Sequence, residues 1–168
     1  MEEEIINRVA QSQLITFDLE KLYPQGERRT LDIAQWLHQG IILREKEFRA
    51  HVDGTDWSLY KDNFVALHCS TGAIVPAWAY MLVASRLAPQ VRKVHIGTLG
   101  ELETLLYHEI LADLDLTPYV DRPVIIKGCS HRPVPENAYI MALAKIQGVA
   151  KNVMYGEACS SVPLYRKK

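Results

Sequence analysis

The pattern of apolar and polar residues along the chain predicts short strands that alternate with helices. Short and mostly apolar runs, which predict strands, occupy residues 14–17, 64–68, 91–96, 124–126 and 151–155. Apolar residues spaced three or four positions apart predict helices over 44–52, 76–87, 101–114 and 135–146. Because strands that alternate with helices form parallel β-α-β units, the pattern predicts an α/β fold with a mostly parallel sheet.

The remaining N-terminal pattern is less regular. Residues 1–62 are predicted to form a mixed α+β region, in which Asp32 caps a short helix that ends at Leu37. The length of 168 residues suits a single domain over 1–168. Within that domain, residues 63–100 and 122–168 share a pattern that occurs twice.

A strand, a Cys-Ser loop, a helix and a second strand follow one another in both segments, which predicts a duplicated unit. Cys69 and Cys129 begin the two loops, and the second loop is one residue shorter up to its proline. Cys159 begins a third, truncated copy, which no helix follows. The two longer copies match without a gap at Pro76 and Pro135, Ala79 and Ala138, Tyr80 and Tyr139, and Gly97 and Gly156.

Four stretches of the chain are similar to one protein family. They read QGIILREKEFR (residues 39–49), AIVPAWAYML (73–82), VIIKGC (124–129) and MYGEACSSVPLY (154–165). Through them the whole chain resembles the uncharacterised bacterial proteins grouped as domain of unknown function 2480. The resemblance implies no particular activity or cofactor, so the chemistry has to be argued from the residues.

The composition limits the classes of partner. The formal net charge is -1, whereas a general nucleic-acid-binding protein usually has a basic excess, so no nucleic acid is expected. The longest apolar run, residues 73–84, is interrupted by Pro76 and is too short to span a bilayer, which predicts no membrane partner. An acidic N-terminus and an odd number of cysteines favour neither secretion nor a disulfide framework, so a cytoplasmic location is expected.

The three cysteines are the leading candidates for chemistry. If the strands are parallel and share one sheet, their carboxyl ends place Cys69, Cys129 and Cys159 at one sheet edge, where ligands bind in α/β proteins. Three thiolates with a fourth ligand, His131 or alternatively His68, would hold zinc, and thiolates also bind iron–sulfur clusters. The first hypothesis is therefore a zinc or iron–sulfur cofactor.

Two other hypotheses stay open at this point. The N-terminus of a helix favours a thiolate, so Cys69 or Cys129 would be a nucleophile for a small anionic substrate, with His68 or His131 as its base. Alternatively the cysteines are small apolar residues without a chemical role, and the chain is a non-catalytic structural or interaction module that forms a homodimer.

Overall fold

The strands in the described part of this protein form two sheets instead of the single sheet that the sequence predicted. The computed structural model describes residues 13–128 and 131–168. Its strands are β1 (Ile15–Phe17), β2 (Arg28–Asp32), β3 (Phe64–His68), β4 (Lys93–Ile96), β5 (Pro123–Lys127), β6 (Asn152–Glu157) and β7 (Ser160–Arg166). One sheet has the order β1-β5-β6-β7 and the other the order β2-β3-β4. Every pair except β6-β7 is parallel, which confirms the predicted α/β fold with mostly parallel strands.

The predicted helices are confirmed within a few residues at their ends. They are α1 (Glu45–Gly54), α2 (Ala77–Leu87), α3 (Leu99–Ala112) and α4 (Glu136–Ile146). Pro76 and Pro135 occupy the N-cap positions before α2 and α4 with extended backbone, one position earlier than predicted. A proline lacks the N–H group, so neither residue leaves a donor unpaired there. In the part of the chain that is described, no helix has the length and apolarity needed to cross a bilayer.

The chain divides into two compact units, each with its own hydrophobic core. The continuous unit is Pro24–Glu103, and the discontinuous unit combines the chain up to Tyr23 with Thr104–Lys168. Phe48 lies in the core of the continuous unit and Tyr107 in the core of the discontinuous unit. The divisions predicted from the sequence, at 1–62, 63–100 and 122–168, stay predictions.

Corresponding elements of the two units lie 59 positions apart. Helices α2 and α4 and strands β3 and β5 have this spacing at both ends. Two pairs of residues with positive φ angles have the same spacing of 59 positions. They are Asp62 (60°) with Asp121 (53°), and Gly97 with Gly156. The constant spacing agrees with a duplicated unit, and the duplication itself stays a prediction.

The spacing extends further along the chain than the sequence predicted. Phe48 in α1 and Tyr107 in α3 are both fully buried, 59 positions apart. Asp56 and Asp115 each accept a hydrogen bond from the backbone N–H two residues later. The spacing of 59 therefore already holds in α1 and α3. The sequence had predicted that the two copies begin later, at the strands before Cys69 and Cys129.

Candidate functional site

Cys69 lies at the carboxyl end of β3, as the sequence predicted, and its thiol is partly buried. Its Sγ atom lies 3.4 Å from the Thr71 hydroxyl oxygen and 3.8 Å from the Thr71 carbonyl oxygen. The Thr71 hydroxyl donates its own hydrogen to the carbonyl oxygen of Gly40 at 2.7 Å. It therefore presents a lone pair to Cys69, and the S–H group is the donor in this contact. The thiol therefore takes part in the hydrogen bonds that hold this loop.

Asp32 joins the end of β2 to the loop that follows Cys69. Its Oδ1 atom accepts hydrogen bonds from the backbone N–H groups of Ala34 at 2.9 Å and Ser70 at 3.0 Å, and its Oδ2 atom accepts from the Ser70 hydroxyl. Partial burial acts to raise the pKa of Asp32, but these hydrogen bonds and the charge of His68 outweigh it and lower the pKa. The ionised carboxylate thus holds the loop in place.

Tyr80 on α2 completes the group of polar side chains at this sheet edge. Burial raises the pKa of Tyr80, and the negative charge of Asp32 raises it further. The phenol therefore stays neutral near pH 7. Among the described residues, no hydrogen bond joins His68 to the Cys69 thiol, so the predicted base does not hydrogen-bond to the predicted nucleophile.

Two of the other predicted metal ligands, His131 and Cys159, belong to the discontinuous unit. Cys129 falls outside the described residues, His131 is exposed, and Cys159 is exposed in the turn between β6 and β7. The prediction that all three cysteines share one sheet edge is wrong for Cys69 and Cys159, because β3 and β6 belong to different sheets. Within residues 13–128 and 131–168, no group of three or more His, Cys, Asp or Glu side chains is arranged to hold a metal ion.

The strand registers also change how the two Cys-Ser loops correspond. Phe64 pairs with Lys93 and Pro123 pairs with Asn152, which gives β3 and β5 the same spacing of 59 as the helices. Cys69 then corresponds to Gly128, and the one-residue gap predicted before the prolines is not needed. A side chain at Gly128 would lie 3.0 Å from the Tyr155 ring, so the discontinuous unit has little room for a cysteine there.

An apolar groove adjoins the Cys69 loop in the continuous unit. It has a volume of about 740 Å³ and is lined mainly by Ile41, Ile42, Leu43, Ala73, Ile74 and Trp78; we term it the Ile74 groove. Ile74 is 94% exposed, Ile41 is 56% exposed and Ile42 is 47% exposed. A cluster of large exposed apolar side chains is typical of a surface that binds another protein.

The walls of the Ile74 groove are held by specific contacts. The Trp78 ring packs edge-to-face against Phe48 at 6.0 Å, and the Arg49 guanidinium lies 5.3 Å from its centre. Ile42, which also lines the groove, exchanges two backbone hydrogen bonds of 2.8 and 3.0 Å with His38. The groove is therefore preformed, which lowers the entropic cost of binding.

The hydrophobic pattern of the sequence did not indicate that these apolar residues are exposed together. Ile74 lies in the apolar run 73–84, which was assigned to a helix from Pro76 onward, so its exposure was not anticipated. The available signal was its position before the proline, since a residue outside the helix has no helical face to bury. Ile41 and Ile42 follow Gly40 in a turn, where an apolar pair has no strand or helix to pack it.

Together these features define an α/β protein of two units with parallel strands, a structural cysteine loop and an exposed apolar groove. The chain belongs to the family described as Protein of unknown function (DUF2480), whose model matches residues 3–167. This confirms the family resemblance found in the sequence. No curated protein and no solved structure matches the chain.

Proposed function

We propose that this protein is a non-catalytic interaction module that pairs with a second copy of itself through the Ile74 groove. The observation that carries the proposal is the exposure of Ile74, which extends 94% of its surface to solvent beside two further exposed isoleucines. Fully burying one isoleucine side chain stabilises an interface by roughly 1.5–3 kcal/mol. Contact with an apolar partner surface would remove this area from water.

The shape of the surface favours a second copy as the partner. A twofold interface brings the same patch of both subunits together, so it needs a protrusion and a recess in one patch. Ile74 is the protrusion, and the groove beside it, between Ile42 and Trp78, is the recess. The Ile74 side chain of each copy would enter the groove of the other.

The charges around the groove support the same partner. Arg44 pairs with Glu47 at 3.1 Å, and Glu45 pairs with Arg49 at 2.9 Å, so these four charges cancel within two ion pairs. A surface that selects a charged partner would carry an excess of the opposite charge. A second copy instead presents an equally balanced rim, which allows approach without like-charge repulsion.

The chemistry of the Cys69 loop supports a role without catalysis. The Cys69 thiol donates to Thr71, and the carboxylate of Asp32 accepts three hydrogen bonds from the loop and the adjacent turn. These groups use their hydrogen-bonding capacity to position the segment that leads to Ile74. We therefore assign the polar cluster the role of supporting the groove.

The proposal predicts a homodimer that one substitution dissociates. Ile74→Asp places a charge in the contact, and we expect sedimentation velocity to show a monomer where the unsubstituted protein is dimeric. Ile140→Asp is the matched control, because Ile140 is 66% exposed on α4 and lies outside the groove. The control variant should remain a dimer, and circular dichroism should show that both variants are folded.

Two results would overturn the proposal. One is a monomer at concentrations up to about 100 µM, which corresponds to a free energy of association weaker than about -5.5 kcal/mol. The other is a dimer that Ile74→Asp leaves intact or that Ile140→Asp disrupts equally.

Zinc or iron–sulfur binding by Cys69, Cys129 and Cys159 stays a separate prediction, with His131 or His68 as the fourth ligand. Its support is the repeated Cys-Ser pattern of the sequence. A thiolate that acts on a small anionic substrate likewise stays a prediction. An elemental analysis of the purified protein tests the first of these two predictions.

A further inference from the structure

A second cavity, with a volume of about 340 Å³, lies between α3 and α4 in the discontinuous unit. Each helix lines it with three residues spaced for one face: His108, Leu111 and Ala112 from α3, and Met141, Ala144 and Lys145 from α4. Leu111 is fully buried beneath it. The small side chains of Ala112 and Ala144 leave the space between the helices unfilled.

Lys145 places a positive charge beside this apolar cavity. Its Nζ atom donates to the carbonyl oxygen of Ala112, at the end of α3, at a distance of 3.3 Å. Within residues 13–128 and 131–168, no carboxylate lies within ion-pair distance of Lys145. Its remaining hydrogens are therefore available to an acceptor that enters the cavity.

The continuous unit has a contact that corresponds to the one between Lys145 and Ala112, and it indicates which chemical group Lys145 would bind. The residues 59 positions before Lys145 and Ala112 are Arg86 and Asp53. There the Arg86 guanidinium donates to the Asp53 carboxylate at 2.8 Å. In the discontinuous unit an alanine replaces the aspartate, so the basic residue is kept while the carboxylate is missing.

From this comparison we infer that the cavity between α3 and α4 binds a small amphipathic carboxylate. The carboxylate group accepts a hydrogen bond from Lys145, at the place that corresponds to the Asp53 carboxylate. The hydrocarbon tail lies against Leu111 and Met141, in space that the two alanines leave open. The exposed side chain of His108 also lines the cavity. This site is independent of the Ile74 groove.

Octanoate is the probe for this inference, with octan-1-ol as a neutral compound of the same chain length. We expect saturable amide chemical-shift changes around Ala112 and Lys145 on addition of octanoate. Lys145→Met should weaken octanoate about tenfold, because it removes a charge-assisted hydrogen bond and keeps the apolar stem. Lys46→Met, which removes an exposed lysine from α1, should leave the affinity unchanged.

Ala112→Asp is the sharper variant, because it restores the carboxylate found at Asp53. We expect it to pair with Lys145 and to exclude octanoate while the protein stays folded. The inference is overturned if octanoate gives no saturable shifts in these helices, if octan-1-ol binds as tightly as octanoate, or if Ala112→Asp and Lys145→Met both bind octanoate like the unsubstituted protein. Sedimentation of the same samples tests the dimer separately, since neither substitution lies at the Ile74 groove.

Discussion

At the scale of single residues, Asp32 connects more of the continuous unit than any local pattern suggests. It caps the 3₁₀ helix Ile33–Trp36 through the Ala34 N–H group and holds Ser70 by backbone and side chain. Sequence analysis predicted the cap, because aspartate before an apolar run is a standard N-cap signal. The bonds to Ser70 join residues 38 positions apart, and no local spacing predicts such a contact.

Replacing Asp32 by alanine should therefore destabilise the protein. We expect Asp32→Ala to lower the free energy of unfolding by about 1–3 kcal/mol, since a helix cap and the hydrogen bonds to Ser70 are lost together. Urea denaturation followed by circular dichroism measures the change. Asp113→Ala, at an exposed aspartate after α3, should change the stability by no more than about 0.5 kcal/mol. Equal effects of the two substitutions would contradict the role given to Asp32.

The lowered pKa of Asp32 adds a pH dependence with a definite sign. The native pKa lies below the ordinary value of 3.8, so the stabilising contribution is fully present above about pH 4 and is lost as the pH falls through the native pKa. The difference in unfolding free energy between the unsubstituted protein and Asp32→Ala should stay constant from about pH 7 to 5 and decrease below about pH 4. A difference that increases toward low pH would contradict this expectation.

At the scale of elements, the turns at the carboxyl ends of β4 and within β6 depend on glycines with positive φ. Gly156 has a φ of 118°, and a Cβ atom there would lie 2.6 Å from the backbone carbonyl oxygen of Ser160. A backbone atom of a paired strand has no freedom to move aside. This position therefore determines whether β7 can pair with β6.

Gly156→Ala should destabilise the protein by at least about 1–3 kcal/mol, because it combines backbone strain with a steric clash. Gly54→Ala is the control, because we expect it to change the stability in the opposite direction. Gly54 ends α1 with open space around its Cα atom, so alanine should stabilise the protein by about 0.4–1 kcal/mol. Thermal denaturation of both variants measures the contrast, and a neutral Gly156→Ala would show that β7 does not depend on this turn.

Periodicity predicted the helices and the buried strands β3 and β5, since their apolar residues are local signals. It did not predict β2, which begins with two arginines. Arg28 is accommodated because it hydrogen-bonds to Glu103 and lies 4.8 Å from the centre of the Phe64 ring. These partners are distant in sequence. Strand β7 was missed for a similar reason, because it contains Pro163 and forms only through pairing with β6.

The sequence therefore predicted part of the candidate site. It placed Cys69 after a strand and before a helix, which the structure confirms. It did not predict the Ile74 groove, because exposure depends on which apolar residues the tertiary fold leaves uncovered. The single sheet edge was inferred from strand direction, and strand direction does not determine how many sheets are formed.

At the scale of the whole molecule, the cysteine hypothesis predicts stoichiometric metal. If Cys69, Cys129 and Cys159 share a zinc ion or an iron–sulfur cluster, protein purified without oxygen should contain it in a fixed ratio to the chain. The metal should disappear when all three cysteines are replaced by serine, and elemental analysis with an absorption spectrum measures this. Folded protein without metal would reject the hypothesis and leave the proposed dimer unaffected.

The path of the chain through the two units sets an order for its folding during synthesis. Ile15 in β1 pairs with Val124 in β5, whereas the strands of the continuous unit all lie between them in sequence. On the ribosome, the continuous unit, which ends at Glu103, is synthesised before β5, which begins at Pro123. We expect it to fold first, while β1 waits without its partner strand until the later part of the chain is translated.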